Sequence, residues 1–270
     1  LALVDPATGL ADAVTLPADA DGVRQFDDVR GNKRLKPDLE ACVVVDDEGG
    51  ERLLAFGSGS SPLRERVLVV EGWDAGPRAH WVDAGALYAG LRAATGFAGS
   101  ELNVEGAVVL HGALHLFGRG NGAPREGLRP VNARCSLDLA AFLAYLRDPV
   151  SHPPPLPEAV VRYELGEVDG LRLGFTDVAA AGGDVFFTAA AEDSPDATRD
   201  GRVSGSVLGR LTPDGTADWT LLADAAGRPF PGKAEGLLLR DPIPSRAWIV
   251  VDHDDPARPS DLCDVELDFG

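Results

Sequence analysis

Four stretches of the chain repeat one pattern: an acidic residue, a short apolar run, a turn, a second apolar run, then a small polar cluster. They are KPDLEACVVV with RLLAFGSGSS (36–45, 52–61), LNVEGAVVL with ALHLFGRGNG (102–110, 113–122), GFTDVAAA with DVFFTAAAED (174–181, 184–193), and KAEGLLL with RAWIVVDHDD (233–239, 246–255). The leading acids are Glu40, Glu105, Asp177 and Glu235, at spacings of 65, 72 and 58 residues. A unit repeated at such a period cannot bury its apolar face alone, so neighbouring units must stack on one another.

The runs are rich in Val, Leu, Phe and Ala and are bounded by Gly, Asp and Pro, which is strand chemistry. The turns DDEGG (46–50), HG (111–112) and GG (182–183) supply residues that tolerate positive φ. More strand material follows the hairpins in ERVLVVEG (65–72), SVLGRLTPDG (206–215) and DLCDVELDF (261–269), and about four strands per unit is the number in a propeller blade. The pattern predicts an all-β chain forming one β-propeller domain over 1–270, with five blades of which the first is incomplete. LALVDPATG and ADAVTLP, within residues 1–35, supply the strand pair of that first blade, or a strand that closes the ring. A β-sandwich is the rival, but it gives no reason for the acids to recur at matching places.

Two segments carry helical spacing instead. AGALYAGLRAA (84–94), with Asp83 as N-cap, and LDLAAFLAYLR (137–147), with Ser136 as N-cap and Asp148-Pro149 as stop, predict two short helices inserted between strands. SHPPPLPE (151–158) reads as a stiff extended connector.

Forty-three acidic against 25 basic residues give a net charge of −18, which repels nucleic-acid backbones. No apolar run reaches the roughly 20 residues that span a bilayer, so no membrane partner is expected. The chain as given reads as a cytoplasmic monomer, or as exported if a signal segment preceded Leu1. Cys42, Cys135 and Cys263 are odd in number and widely spaced, which predicts buried reduced thiols.

Antiparallel pairing places the start of a hairpin's first strand beside the end of its second. Glu40, Glu105, Asp177 and Glu235 should therefore stand beside the clusters 58–61, 119–121, 192–193 and 252–255, at one channel mouth if the first strands line a channel. Confined carboxylates raise one another's pKa unless something positive neutralises them. Ca²⁺, which takes six to eight oxygens, is one neutraliser, with Glu40, Glu105, Asp177, Glu235 and Asp254 as metal ligands. Basic side chains are the other, among them Lys36, Arg119 and Lys233. His253, between Asp252 and Asp254, is the histidine expected at the mouth and a candidate general base. Lys36, Asn121, Glu192 and Lys233 are candidate ligand contacts, and Arg119 a candidate anion clamp. No organic-cofactor motif is present: GSGSS and GRGNG lack the strand-to-helix setting of a phosphate loop.

Taken in order, KPDLEA, FGSGSS, LNVEGAVV, LFGRGNG, GFTDVA, AAAED, KAEGL and VVDHDDPARPSDL resemble an uncharacterised family of bacterial propeller proteins, over about residues 24–268. That family is distantly similar to esterase-like phytase and lactonase-type propellers. The resemblance implies a polar channel mouth built from Glu40, Glu105, Asp177, Glu235, Arg119, Asn121 and Asp254, and it implies no settled activity. Two functions follow as expectations. One is a Ca²⁺-dependent hydrolase of small anionic esters, phosphoesters or lactones, in which His253 or a carboxylate activates water and Arg119 holds the anion. The other is a non-enzymatic propeller that binds a small ligand or a protein partner.

Overall fold

Each acid-led repeat folds as an antiparallel hairpin. His111 (φ 52°) and Gly112 (φ 78°) form one tight turn and Gly182 (φ 60°) and Gly183 (φ 91°) another, both with the two left-handed residues that match strand twist. In a computed structural model, the described residues are all of 1–270 except 20, 28, 48, 74–75, 194–200, 213–215, 231, 241–244, 254–256 and 268–270. Two compact units are present, Leu1–Gly85 and Ala86–Gly270, and each is described by itself. No described helix is long and apolar enough to cross a membrane.

In the first unit, β3 (Leu39–Asp47), β4 (Gly50–Gly57), β5 (Arg66–Glu71) and β6 (Arg78–Asp83) pair in sequence order as one antiparallel blade. Strands β1 (Ala2–Asp5) and β2 (Leu10–Ala13) make a separate two-stranded sheet. Leu1, Leu3 and Val14, from this hairpin and its flanks, pack with Ala55, Leu68 and Val70 of the blade. The expected incomplete first blade, which would have made five, is thus corrected: this pair covers the face of an existing sheet, because its few apolar residues find their burial there.

The second unit holds three blades. The first is β7 (Val104–Leu110), β8 (Ala113–Gly118), β9 (Asn132–Asp138) and β10 (Glu158–Tyr163). The second is β11 (Glu167–Val168), β12 (Leu171–Ala181), β13 (Asp184–Glu192), β14 (Val203–Leu211) and β15 (Ala217–Leu221). The third is β16 (Lys233–Leu239), β17 (Arg246–Asp252) and β18 (Asp261–Glu266). Among the described residues the chain therefore has four blades of three to five strands. The helices are α1 (Gly85–Ala93), α2 (Thr95–Ala98) and α3 (Leu139–Arg147), so the expected pair gains α2. Strand β9 runs on through Asp138, which displaces Ser136 as the cap. Asp138 accepts the Ala141 N–H at 2.8 Å, while the Ser136 hydroxyl lies 2.9 Å from His115 Nδ1.

Strand β13 shows why these sheets stack. Val185 to Ala191 are all buried, so the strand reads as a continuous apolar run, not an alternating one. Phe187, Ala189 and Ala191 face a core shared with Phe117 and Phe175, whereas Phe186 faces one shared with Ala234, Leu237 and Ile249. Phe175 packs edge-on against Phe117, Tyr163 and Phe187 at centroid distances of 5.5, 5.8 and 5.3 Å, each pair worth about 0.5–1.5 kcal/mol beyond area burial. Close approach is also required at Gly106: a Cβ there would lie 2.7 Å from Val178 Cγ2, so only glycine lets β7 meet β12. Of the thiols, only Cys135 is buried; Cys42 is exposed and Cys263 half-buried, which corrects the expectation of three buried thiols.

Candidate functional site

In every blade the leading strand of the acid-led hairpin (β3, β7, β12 and β16) carries a β-bulge. The bulged residues are Glu40 (between Leu39 and Ala41), Glu105 (Val104 and Gly106), Thr176 (Phe175 and Asp177) and Glu235 (Ala234 and Gly236). A bulge re-aims one side chain and breaks the alternation beyond it. The counterpart of the glutamates is therefore Thr176, not Asp177 as the sequence pattern had it. Thr176 is buried and its hydroxyl pairs with Thr188 Oγ1 at 3.0 Å. Asp177 instead accepts the Val178 N–H on Oδ1 at 2.8 Å and the Leu237 N–H on Oδ2 at 2.7 Å, joining β12 to β16. Burial pushes its carboxyl up to about 7 despite those two bonds, and the charge of Glu235 adds to the rise.

Around the bulges of the second unit, three carboxylates and two cations from three blades form one buried network. Glu105 is 3 % exposed, Arg119 5 % and Lys233 8 %. Arg119 donates from one terminal nitrogen to Glu105 Oε1 at 3.4 Å and from the other to Glu192 Oε2 at 2.6 Å. Lys233 Nζ lies 3.3 Å from Glu192 Oε2 and 2.8 Å from Glu235 Oε1. Asn103 donates to Glu105 Oε1 at 2.7 Å and to Asn121 Oδ1 at 3.4 Å. Glu105 Oε2 has no hydrogen-bond partner among the described residues. Gly174 makes room for Arg119, since a Cβ there would lie 2.8 Å from Arg119 Cγ.

Electrostatics separate the three acids. Burial drives Glu105 up to about 8; Arg119 only partly opposes it, and Glu235 pushes the same way. Glu235 is also raised, by burial first, with Lys233 and Arg119 in opposition. Glu192 is buried too, but Arg119, Lys233 and the Gly201 N–H outweigh the desolvation and hold it below the ordinary carboxylate range. Burial disfavours the charged forms of Arg119 and Lys233, yet the surrounding glutamates raise both above their ordinary values. Glu105 is thus the acid pushed furthest toward keeping its proton, and Glu192 the one held ionised beside the two cations.

Of the residues singled out in the sequence, Glu105, Arg119, Asn121, Glu192, Lys233 and Glu235 come together here. Lys36 and Glu40 belong to the first unit. There Lys36 lies 3.3 Å from Asp38, and Asp38 meets Arg64 at 2.6 Å and the Ser58 hydroxyl at 3.0 Å. Burial works against the Lys36 ammonium, but Glu40 and Asp38 leave its pKa raised. His253 Nε2 lies 2.8 Å from Asp261 Oδ2 at the start of β18, and no described contact joins it to the network. Asp254 lies outside the described residues.

Two buried asparagines escaped sequence reasoning. Asn103 stands two residues before Glu105 and holds it. Asn132 donates to the Leu173 carbonyl at 2.8 Å and accepts the Gly120 N–H at 2.8 Å, tying the GRGNG loop to the next blade. Polar residues flanking apolar strand runs were the available signal. A pocket of about 240 Å³ opens beside the network, with Arg119, Asn121, Arg129, Arg172 and Glu192 in its wall.

Fold and site together define an all-β protein of propeller blades that carries a buried, charge-matched acid cluster at the bulged strand starts. The chain belongs to the family of unknown function DUF6910, whose model matches residues 32–256. No curated protein matches the sequence. Among solved structures it is similar to a GH43_1 enzyme from Xanthomonas citri, with 10 % identity, coverage of 85 % of this chain and 75 % of that one, and a TM-score of 0.41. It is also similar to the alpha-L-arabinanase of Cellvibrio cellulosa complexed with arabinohexaose, with 12 % identity, coverage of 79 % and 64 %, and a TM-score of 0.39. Likeness at that level bears on neither the substrate nor the chemistry of this chain.

Proposed function

We propose that the chain hydrolyses a small anionic ester, phosphoester or lactone, with Glu105 as the proton donor. The observation that supports this most is a fully buried carboxyl whose pKa lies near 8 and whose Oε2 has no partner. Such a group keeps its proton at neutral pH and can release it to a leaving oxygen. Glu192, held ionised, fixes Arg119 and Lys233 in place. Glu235, raised above the ordinary carboxylate range, takes a proton from water. The water oxygen bonds to the carbonyl carbon or phosphorus, the ester C–O or P–O bond breaks, and the leaving oxygen receives the Glu105 proton. Arg119 opposes the negative charge that develops.

A Ca²⁺ ion on Glu105 and Glu235 is the rival way to neutralise these acids. It would have to displace Arg119 and Lys233 from them, so no step of the proposal uses a metal. Esterase, phosphodiesterase, phosphomonoesterase and lactonase assays test the reading. Turnover of one class should fall about 10²-fold or more in Glu105→Gln. No turnover of any class, or full activity in that variant, overturns it. The second reading is a binding protein without catalysis, and it is favoured by the 3 % exposure of Glu105.

A further inference from the structure

The pocket beside the network is positively charged in a protein that is otherwise strongly negative. Three arginines, Arg119, Arg129 and Arg172, stand in its wall, although basic residues number only 25 against 43 acids along the chain. The acid in the wall, Glu192, is already committed to Arg119, to Lys233 and to the Gly201 N–H at 2.6 Å. Arg119 is likewise committed, to Glu105 and Glu192. Arg129 has no side-chain ion pair or hydrogen bond among the described residues. Arg172 has a loose contact of 3.7 Å with Glu164, whose side chain is 92 % exposed. Two arginines of the pocket wall thus carry charge that no close partner takes up, and the guanidinium fork matches an oxyanion.

We infer that this pocket is an oxyanion-binding subsite in which Arg129 and Arg172 grip the phosphate or carboxylate group of a small molecule. The proposal rests on the hydrolase reading only for what the bound molecule then undergoes. At about 240 Å³ the pocket is smaller than the roughly 300–1,000 Å³ of drug-sized sites. That volume suits a compact metabolite-sized anion and not a polymer. Of the buried network, Arg119 and Glu192 stand in the wall, so an anion held by the outer arginines would place its neighbouring bonds toward them.

Calorimetric titration of the full chain with inorganic phosphate and, separately, with acetate tests the inference at low and at raised ionic strength. Binding of at least one of them at millimolar concentration is expected, weakening as salt is added. A phosphate-only result assigns phosphoesters and an acetate-only result assigns carboxylates. Arg129→Gln combined with Arg172→Gln should weaken binding about tenfold or more while leaving the melting temperature unchanged, since both side chains are exposed. Glu105→Gln should keep anion binding even where hydrolysis is lost, which separates this proposal from the catalytic one. Failure of both anions to bind, or equal binding by the double arginine variant, overturns it.

Discussion

Asp177 Oδ2 accepts the backbone N–H of Leu237 at 2.7 Å, and this one bond fastens β12 of one blade to β16 of the next. Leu237 is back in register with Ile249 beyond the bulge, on an edge strand of its sheet, where an amide that points away from β17 needs a partner from elsewhere. Asp177→Ala removes the acceptor and should cost about 1–3 kcal/mol of stability, read by chemical denaturation.

The same carboxyl gives a pH dependence of defined sign. Its pKa in the folded chain, about 7, lies above its ordinary value of 3.8. Between those values the folded state keeps a proton that the unfolded state has lost, so stability is fully present below the lower value and declines as pH rises toward the upper. Asp177→Asn cannot ionise. Denaturation curves should show the wild type losing stability relative to this variant from about pH 4 to pH 7.

Gly106 tests the packing between blades. Gly106→Ala places a methyl group 2.7 Å from Val178 Cγ2 and should destabilise the chain by about 1–3 kcal/mol. Val178→Ala frees that space, so the double variant should recover part of the loss, measured by thermal denaturation as a double-mutant cycle.

Lys233 bridges Glu192 and Glu235 at 3.3 and 2.8 Å with its side chain 8 % exposed. Lys233→Met leaves the buried Glu192 carboxylate, still held by Arg119, facing the half-buried Glu235 and should cost about 1–3 kcal/mol. Adding Glu235→Gln removes one of those charges and should restore at least about 1 kcal/mol, so the effects of the two changes will not add.

If Arg119 and Lys233 neutralise the acids, Ca²⁺ is not needed for folding. The melting temperature should then stay constant on titration with Ca²⁺, Mg²⁺ or Mn²⁺. A rise of several degrees that Glu105→Gln and Glu235→Gln abolish would instead favour the metal.

The hairpins were legible because their signals are local. Tight turns need residues such as His111-Gly112 and Gly182-Gly183, and buried strands need runs such as VFFTAAA. Three of the four acids read as leading the hairpins, Glu40, Glu105 and Glu235, fall at the bulged position. Asp177 was misassigned because a bulge adds one residue without changing composition. Aligning on the apolar residue before the bulge (Leu39, Val104, Phe175, Ala234) would have selected Thr176. Arg129 and Arg172 carried no signal at all. One lies in a loop and the other near the start of β12, and only tertiary packing brings them to one pocket. The β1–β2 pair was recognisable as strands, but which surface it covers depends on Leu1, Leu3 and Val14 meeting a face no local pattern specifies.

The central claim is that Glu105 stores a proton at neutral pH. Carbon-13 NMR titration of its side-chain carboxyl, assigned by loss of the signal in Glu105→Gln, measures this directly. A midpoint near 8 is predicted. A midpoint in the ordinary glutamate range, about 4.3, would contradict it.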